Sequence, residues 1–331
     1  MRPLALFASL LLCTLTAGMA AAPAATPAAA KAPPAQVKLG AYVVALYELN
    51  TNNNTFAADL WLWALHDKEQ DLKPLKTIEP ENARTFATSL DATEEHGTQR
   101  YHATKVKGVF SHNWNVVNFP FDRHELRIRL SEGHTEADQF VYAADVANTG
   151  VDPTVRLEGW QIEKVALVTS TRTFATSFGE PDSTVGSTYA QAVLSIFIVR
   201  DAMGLFWKLH AAVYVAFLIS LVAFFMDPSK DGLFSSRIGM LIGMVFAVVI
   251  NTQRIAATLG QTSAFTLAEK IHVVTLLELL AALVCTLYSR RLHTTNRGTI
   301  ADRIDRLMAL VLGAIYLMVN AILIFFAARA A

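Results

Sequence analysis

Apolar and polar residues are spread unevenly along this chain. Up to about Arg200 the apolar residues come in short runs; beyond it they come in four long blocks. The first part predicts strands. Residues 42–49 are apolar, with β-branched and aromatic character, and residues 50–55 (NTNNNT) make an Asn-rich turn. Residues 56–65 then alternate, with Leu60, Leu62 and Ala64 on one face and Trp61 and Trp63 on the other, so the two runs form a hairpin. Residues 100–110 and 125–130 alternate again, and 139–143, 160–170 and 191–199 are further strand candidates. Residues 172–188, rich in Gly, Ser, Thr and Pro, suit a long hairpin tip, whereas 67–97 are polar without a clear period. Short strands punctuated by turns predict a β-sandwich domain over residues 37–203.

The four blocks cover residues 205–226, 234–259, 271–288 and 307–328. Each has about the length needed to cross a hydrocarbon core of ~30 Å at ~1.5 Å per residue. They predict an all-α four-helix membrane domain over residues 204–331. The second block, FSSRIGMLIGMVFAVVINTQRIAATL, is less apolar than its neighbours, with two glycines, several hydroxyls, Asn251, Gln253 and Arg254. A helix facing lipid avoids such groups, so this one is expected to line water. Glu278, His210 and Asn320 lie inside other blocks, either as functional groups or as neutral hydrogen-bonded ones.

Residues 1–22 have an early Arg, a short apolar run and then small residues, the pattern of a secretory signal peptide; a first membrane helix is the alternative. Residues 23–36, rich in Ala and Pro, read as a flexible linker. Arg290, Arg291, Arg297, Arg303 and Arg306 stand between the third and fourth blocks against Asp302 and Asp305, which predicts a cytoplasmic loop. The sandwich and the C-terminus then lie outside the membrane, periplasmic or extracellular, in agreement with the signal peptide.

Composition narrows the function. The 331 residues carry 28 basic and 28 acidic side chains, and 53% are hydrophobic, which gives no support for a nucleic-acid partner. Of the two cysteines, Cys13 and Cys285, neither falls in the exported domain, so a disulfide, a cysteine zinc cluster and a cysteine nucleophile are excluded there. No Gly-x-Ser-x-Gly, His-Glu-x-x-His or phosphate loop occurs, so neither an enzyme, a metal nor a cofactor is expected.

Several stretches resemble the prokaryotic pentameric ligand-gated ion channels, members of the Cys-loop receptor superfamily that lack its disulfide. GAYVVALYELNTNNNTFAADLWLWALH is similar to their first hairpin, NFPFDRHEL to the Phe-Pro-Phe-Asp loop and LEGWQIEKV to the Gly-Trp strand. Arg200 matches an arginine just before the first membrane helix, and AFLISLVAFF and FSSRIG resemble the end of that helix and the start of the next. The chain departs from the family in three places: residues 205–226 lack a proline, residues 67–97 lack a Trp-x-Pro-Asp motif, and GQTSAFTLAEK lacks a proline.

The resemblance implies an immunoglobulin-like extracellular sandwich on four membrane helices, assembled as a homopentamer in the lipid bilayer. A periplasmic small-molecule or proton agonist would open a pore to inorganic ions. A non-conducting membrane receptor on the same scaffold is the alternative. Anchored on Arg237, the second helix would line the pore with Gly239, Gly243, Phe246, Ile250, Gln253 and Ala257. A second register places Ser236, Met240, Gly243, Ala247, Arg254 and Thr258 inward, and the glycines can instead be read as helix-packing residues. Arg237 and Arg254 are the candidate mouth charges, with Arg254 paired to Glu269 or to a carboxylate of another copy. Pro120, Phe121, Asp122 and Arg200 would couple the head to the pore, Asp122 and Arg200 as an ion pair. Trp61, His134, Phe174, Phe178 and Tyr189 are the candidate ligand-binding residues. Ion sign and agonist identity stay open.

Overall fold

A computed structural model of the chain describes residues 33–179, 186–259 and 264–330. The expected signal peptide and most of the expected linker lie outside the described residues. At the end of the expected linker span, Ala35 and Gln36 are in strand and pair with Phe140 and Val141.

The first two strands, β1 (Ala35–Asn50) and β2 (Thr55–Asp67), form the hairpin that the alternation predicts. They are followed by β3 (Ile78–Pro80), β4 (Ala83–His96), β5 (Gln99–Ser111), β6 (Arg123–Glu136), β7 (Phe140–Ala144), β8 (Gly150–Val151), β9 (Trp160–Thr173) and β10 (Thr188–Arg200). One sheet runs β4-β5-β2-β1-β7 with β8 on β1, and the other runs β3-β6-β10-β9. β7 and β8 pair with β1 in parallel; the other strand pairs are antiparallel. Leu60 and Leu62 of one sheet and Leu126, Ile128, Leu194 and Ile196 of the other fill the space between them. β4 explains why residues 67–97 show no period: it is an edge strand with nearly every side chain exposed, so neither face had to be apolar.

Four helices follow: α1 (Ala202–Ala223), α2 (Asp231–Leu259), α3 (Leu267–Thr294) and α4 (Gly298–Ala330). All four are long and apolar enough to cross a membrane, so this is a multi-pass membrane protein in architecture. α3 and α4 extend well beyond their apolar blocks. The charged stretch expected as a loop is largely helical, with Arg290 and Arg291 in α3 and Arg303 and Arg306 in α4. α3 starts with a capping box, in which the Thr266 hydroxyl accepts from the Glu269 amide and the Glu269 carboxylate accepts from the Thr266 amide.

Head and helices share packing. Leu209, Ile255, Leu259 and Ala268 belong to the same apolar cluster as the sandwich core. Phe121 packs against an apolar cluster drawn from α1, α3 and α4, with its ring centroid 5.7 Å from that of Phe206, so the loop after β5 docks on the helices.

Candidate functional site

The first region is the face of α2. Its buried residues, Arg237, Leu241, Val248, Asn251, Ile255 and Leu259, recur every three, four or seven positions and form one stripe against the other helices. Gly239, Gly243, Phe246, Ile250, Gln253 and Ala257 are all exposed in the single chain. At about 100° per residue they fall on the opposite side of the helix. A Cβ added at Gly239 or Gly243 would meet nothing within 4 Å, so within one chain these glycines pack against no other helix. The second register, through Ser236 and Arg254, lies on the flank of the same free side, with Met240 partly covered.

Two polar groups of α2 do not sit where the sequence suggested. Arg237, expected at a pore mouth, is 0% exposed. Its guanidinium donates to both Asp305 oxygens at 2.9 and 3.1 Å and to Thr286 Oγ1 at 2.8 Å, and Ser289 also donates to Asp305. A charge taken out of water needs such partners, and Asp305 of α4 supplies them. Asn251, counted among the groups that make α2 polar, is likewise buried. It donates to the Leu209 carbonyl at 2.7 Å and lies 2.9 Å from His272 Nε2. Arg254 does point outward, but not to Glu269, whose carboxylate is held by Thr266. Among the described residues Arg254 has no ion-pair partner.

The polar groups in the other helices are also tied inward. Ser220 bonds Glu278 at 2.8 Å, His210 Nδ1 meets the Phe206 carbonyl at 2.8 Å, and Asn320 donates to the Tyr316 carbonyl at 2.9 Å.

The second region is the contact between head and helices. Val199 pairs with Arg123 across β10 and β6, which brings Arg200 and Asp122 opposite each other at the end of the ladder. The Arg200 guanidinium donates to both Asp122 oxygens, at 2.7 and 2.9 Å. His124 Nε2 adds a third bond to Asp122 at 2.8 Å. The Asp122 side chain is 1% exposed. Burial pushes this carboxyl up, but the bonds from His124 and Arg200 outweigh it and hold the group below its ordinary value.

On its other side Arg200 stacks over Trp160 at 3.9 Å, its pairing partner on β9. Trp114 and His124 complete a ring cluster with Trp160. Pro120 is buried after a cis peptide bond, and nearby the Val117 carbonyl accepts from the first amide of α3 at 2.9 Å. The sequence named the ion pair but missed His124 and the tryptophans, which join it only once three strands are in register.

The third region is a cavity of about 580 Å³ in which Phe174, Phe178 and Tyr189 come together. Their ring centroids lie 5.3 to 6.5 Å apart. Glu79, Glu81, Glu132, Arg129 and Arg172 share the lining. Glu81 is engaged by Arg172, Ser131 and Gln191, while Glu79 is exposed. The two other expected ligand residues are elsewhere in the single chain. Trp61 is on β2 of the opposite sheet, and His134 lines a separate hollow with Asp71, Lys73 and Thr77. Among the described residues no group of three or more His, Cys, Asp or Glu is placed to hold a metal.

No protein-family model matches this chain. No curated protein matches it.

Proposed function

We propose that the protein is a ligand-gated ion channel in which five copies place α2 around a common axis. The observation that carries this reading is the free side of α2. A span turned to lipid on that side would have no use for glycines, Gln253 and Arg254, whereas a lumen wall accommodates them. In this reading Phe246 and Ile250 form apolar rings that close the path by dewetting, and Gly239 and Gly243 leave the other half wide. Arg254 then lines or rims the outer part of the path and favours anions. The head and the C-terminus lie outside the cell, as the arginines at the α3–α4 connection favour.

The aromatic cavity is the proposed agonist pocket, selecting a ligand with a cationic group that rests on the rings beside Glu79. Trp61 would reach it from a neighbouring copy, because its own sheet lies on the other side of the sandwich. Asp122 and Arg200 would pass movement of the head to the helices through Phe121 and the α3 start.

Purified protein in liposomes should conduct, and Phe246→Ser should lower the barrier to opening. Silence of both proteins across a broad screen of organic cations and pH would overturn the reading. The bulk of Phe246 favours one alternative, a receptor that binds ligand with the path held shut. Ligand binding without conductance in wild type and Phe246→Ser alike would select it. Projection images of the detergent-solubilised protein test the five copies directly.

A further inference from the structure

A second cavity in the described head, about 850 Å³, is separate from the aromatic one. It lies where the sheets meet near the helices, lined by parts of β4, β6, Asn54 and the segment after β5. Asn82 pins this corner. Its amide donates to the carbonyls of Ser111 and Arg127 at 3.0 and 2.8 Å, and its oxygen accepts from the Arg129 amide at 3.0 Å. The adjoining hollow is lined by both Arg84 and Thr258 of α2, which puts this corner at the membrane end of the head.

The lining is strongly basic. Arg84, Arg123, Arg127 and Arg129 face one carboxylate, Glu125. Strand geometry produces the row: on β6, Arg123, Arg127 and Arg129 alternate with buried His124, Leu126, Ile128 and Leu130, so the arginines share one face. Their compensation is incomplete. Arg127 pairs with Glu125, and hydrogen bonding from Arg127 is the main cause that holds the Glu125 carboxyl low. Arg123 reaches Glu163 only at 3.8 Å, and Arg129 reaches Glu81, already held by Arg172, at 3.7 Å. Among the described residues Arg84 bonds only neutral oxygens, Asn53 O at 2.7 Å and Ser111 Oγ at 3.4 Å.

We propose that this cavity is an oxyanion site that takes a phosphate group, on a free anion or on the headgroup of an anionic lipid. Guanidinium forks match the oxygens of a phosphate two at a time, and a concave basic surface concentrates anions. The cavity size suits a small polar ligand. The proposal does not depend on conduction, since it concerns binding to the head alone.

The test uses the full chain in detergent, titrated with inorganic phosphate against chloride at matched ionic strength. A second arm uses nanodiscs with and without phosphatidylglycerol, and stabilisation against heat is the readout in both. Wild type should show a saturable phosphate-specific shift, weakened on the order of tenfold by Arg84→Gln and further by Arg84→Gln with Arg127→Gln. Glu125→Gln, which removes the one carboxylate of the lining, should bind more tightly, a gain that a folding defect does not produce. A response to phosphate in detergent assigns a free oxyanion; a response only in phosphatidylglycerol nanodiscs assigns a headgroup. No specific response in either arm overturns the proposal, as does unchanged binding in Arg84→Gln or no gain in Glu125→Gln. Should the double variant not fold, the two single variants carry the decision.

Discussion

α2 and α4 are both long and apolar, both are largely uncovered by the rest of the chain, and they are built in opposite ways. The exposed side of α4 is apolar throughout its middle: Leu310, Ile315, Leu317, Met318, Ile322, Phe325 and Phe326. Its buried side holds the small and polar residues, among them Asp305, Gly313, Tyr316 and Asn320. That is the plan of a helix that shows hydrocarbon to lipid and keeps polar groups among protein partners. α2 also buries polar groups, Arg237 and Asn251, but leaves Gln253, Arg254, Ser235, Ser236, Gly239 and Gly243 on its free side as well. A single count of polar residues would not separate the two helices. Which side the residues occupy does.

The largest expected effect tests the buried polar side of α4. Asp305→Leu strands Arg237 without a counter-charge and should cost about 3–5 kcal/mol, read as a fall in thermal stability in detergent. Stability unchanged from wild type would mean that the pair contributes nothing.

A smaller effect separates the glycines. A Cβ at Gly313 would sit 3.6 Å from a Leu221 methyl, so the further atoms of Gly313→Leu should overpack α1 against α4 and cost about 1–3 kcal/mol. Gly243→Leu meets open space within the chain and gains about 0.5–1 kcal/mol of helix propensity. It should keep stability while reducing conductance in liposomes. Equal destabilisation by both changes would remove the distinction between the helices.

Labelling compares the two exposed sides without touching stability. In a Cys285→Ala background, Ile250→Cys should react with a membrane-impermeant thiol reagent and Leu317→Cys should not. The reverse pattern would turn α2 to lipid and end the channel reading.

The smallest effect concerns where the helices meet the head, α2 through Ile255 and Leu259 in the sandwich cluster and α4 through Ala327 in the cluster that Phe121 packs against. The Asp122 carboxyl is depressed in the folded chain, so its contribution is complete above the unfolded value of about 3.9 and is lost as pH falls through the lower folded value. His112, which lies edge-on against Trp114 and His124 of the ring cluster beside Asp122, acts at higher pH. Burial first, then the charges of His124 and Arg127, lower its value to about 4, so the unfolded chain binds the proton sooner. Stability should therefore decline as pH falls from about 6.5 to about 4. His112→Gln should flatten that upper slope and Asp122→Asn the acid one, both in thermal melts across pH. Slopes unchanged in the variants would assign the pH dependence to other groups.

Much of the architecture was legible in the chain because burial dictates period. The β1–β2 hairpin, β5, β6 and the four spans follow from alternation and from apolar length, and the Asp122–Arg200 pair followed from the family resemblance. β4 escaped because an exposed edge strand needs no apolar face. The charged stretch after the third block reads as a loop by composition, yet it is helix at both ends, with Asp305 buried.

What the sequence alone determined is the order of elements and the amount of polar chemistry in α2. What only the tertiary structure decided is direction: that Arg237 and Asn251 turn inward, that His134 is apart from the aromatic trio, and that β6 lines its arginines along a cavity. The reason is physical. Period and length are local properties of a chain, whereas the partner that satisfies a buried charge, such as Asp305 for Arg237, comes from a distant segment and is known only when the two are packed together.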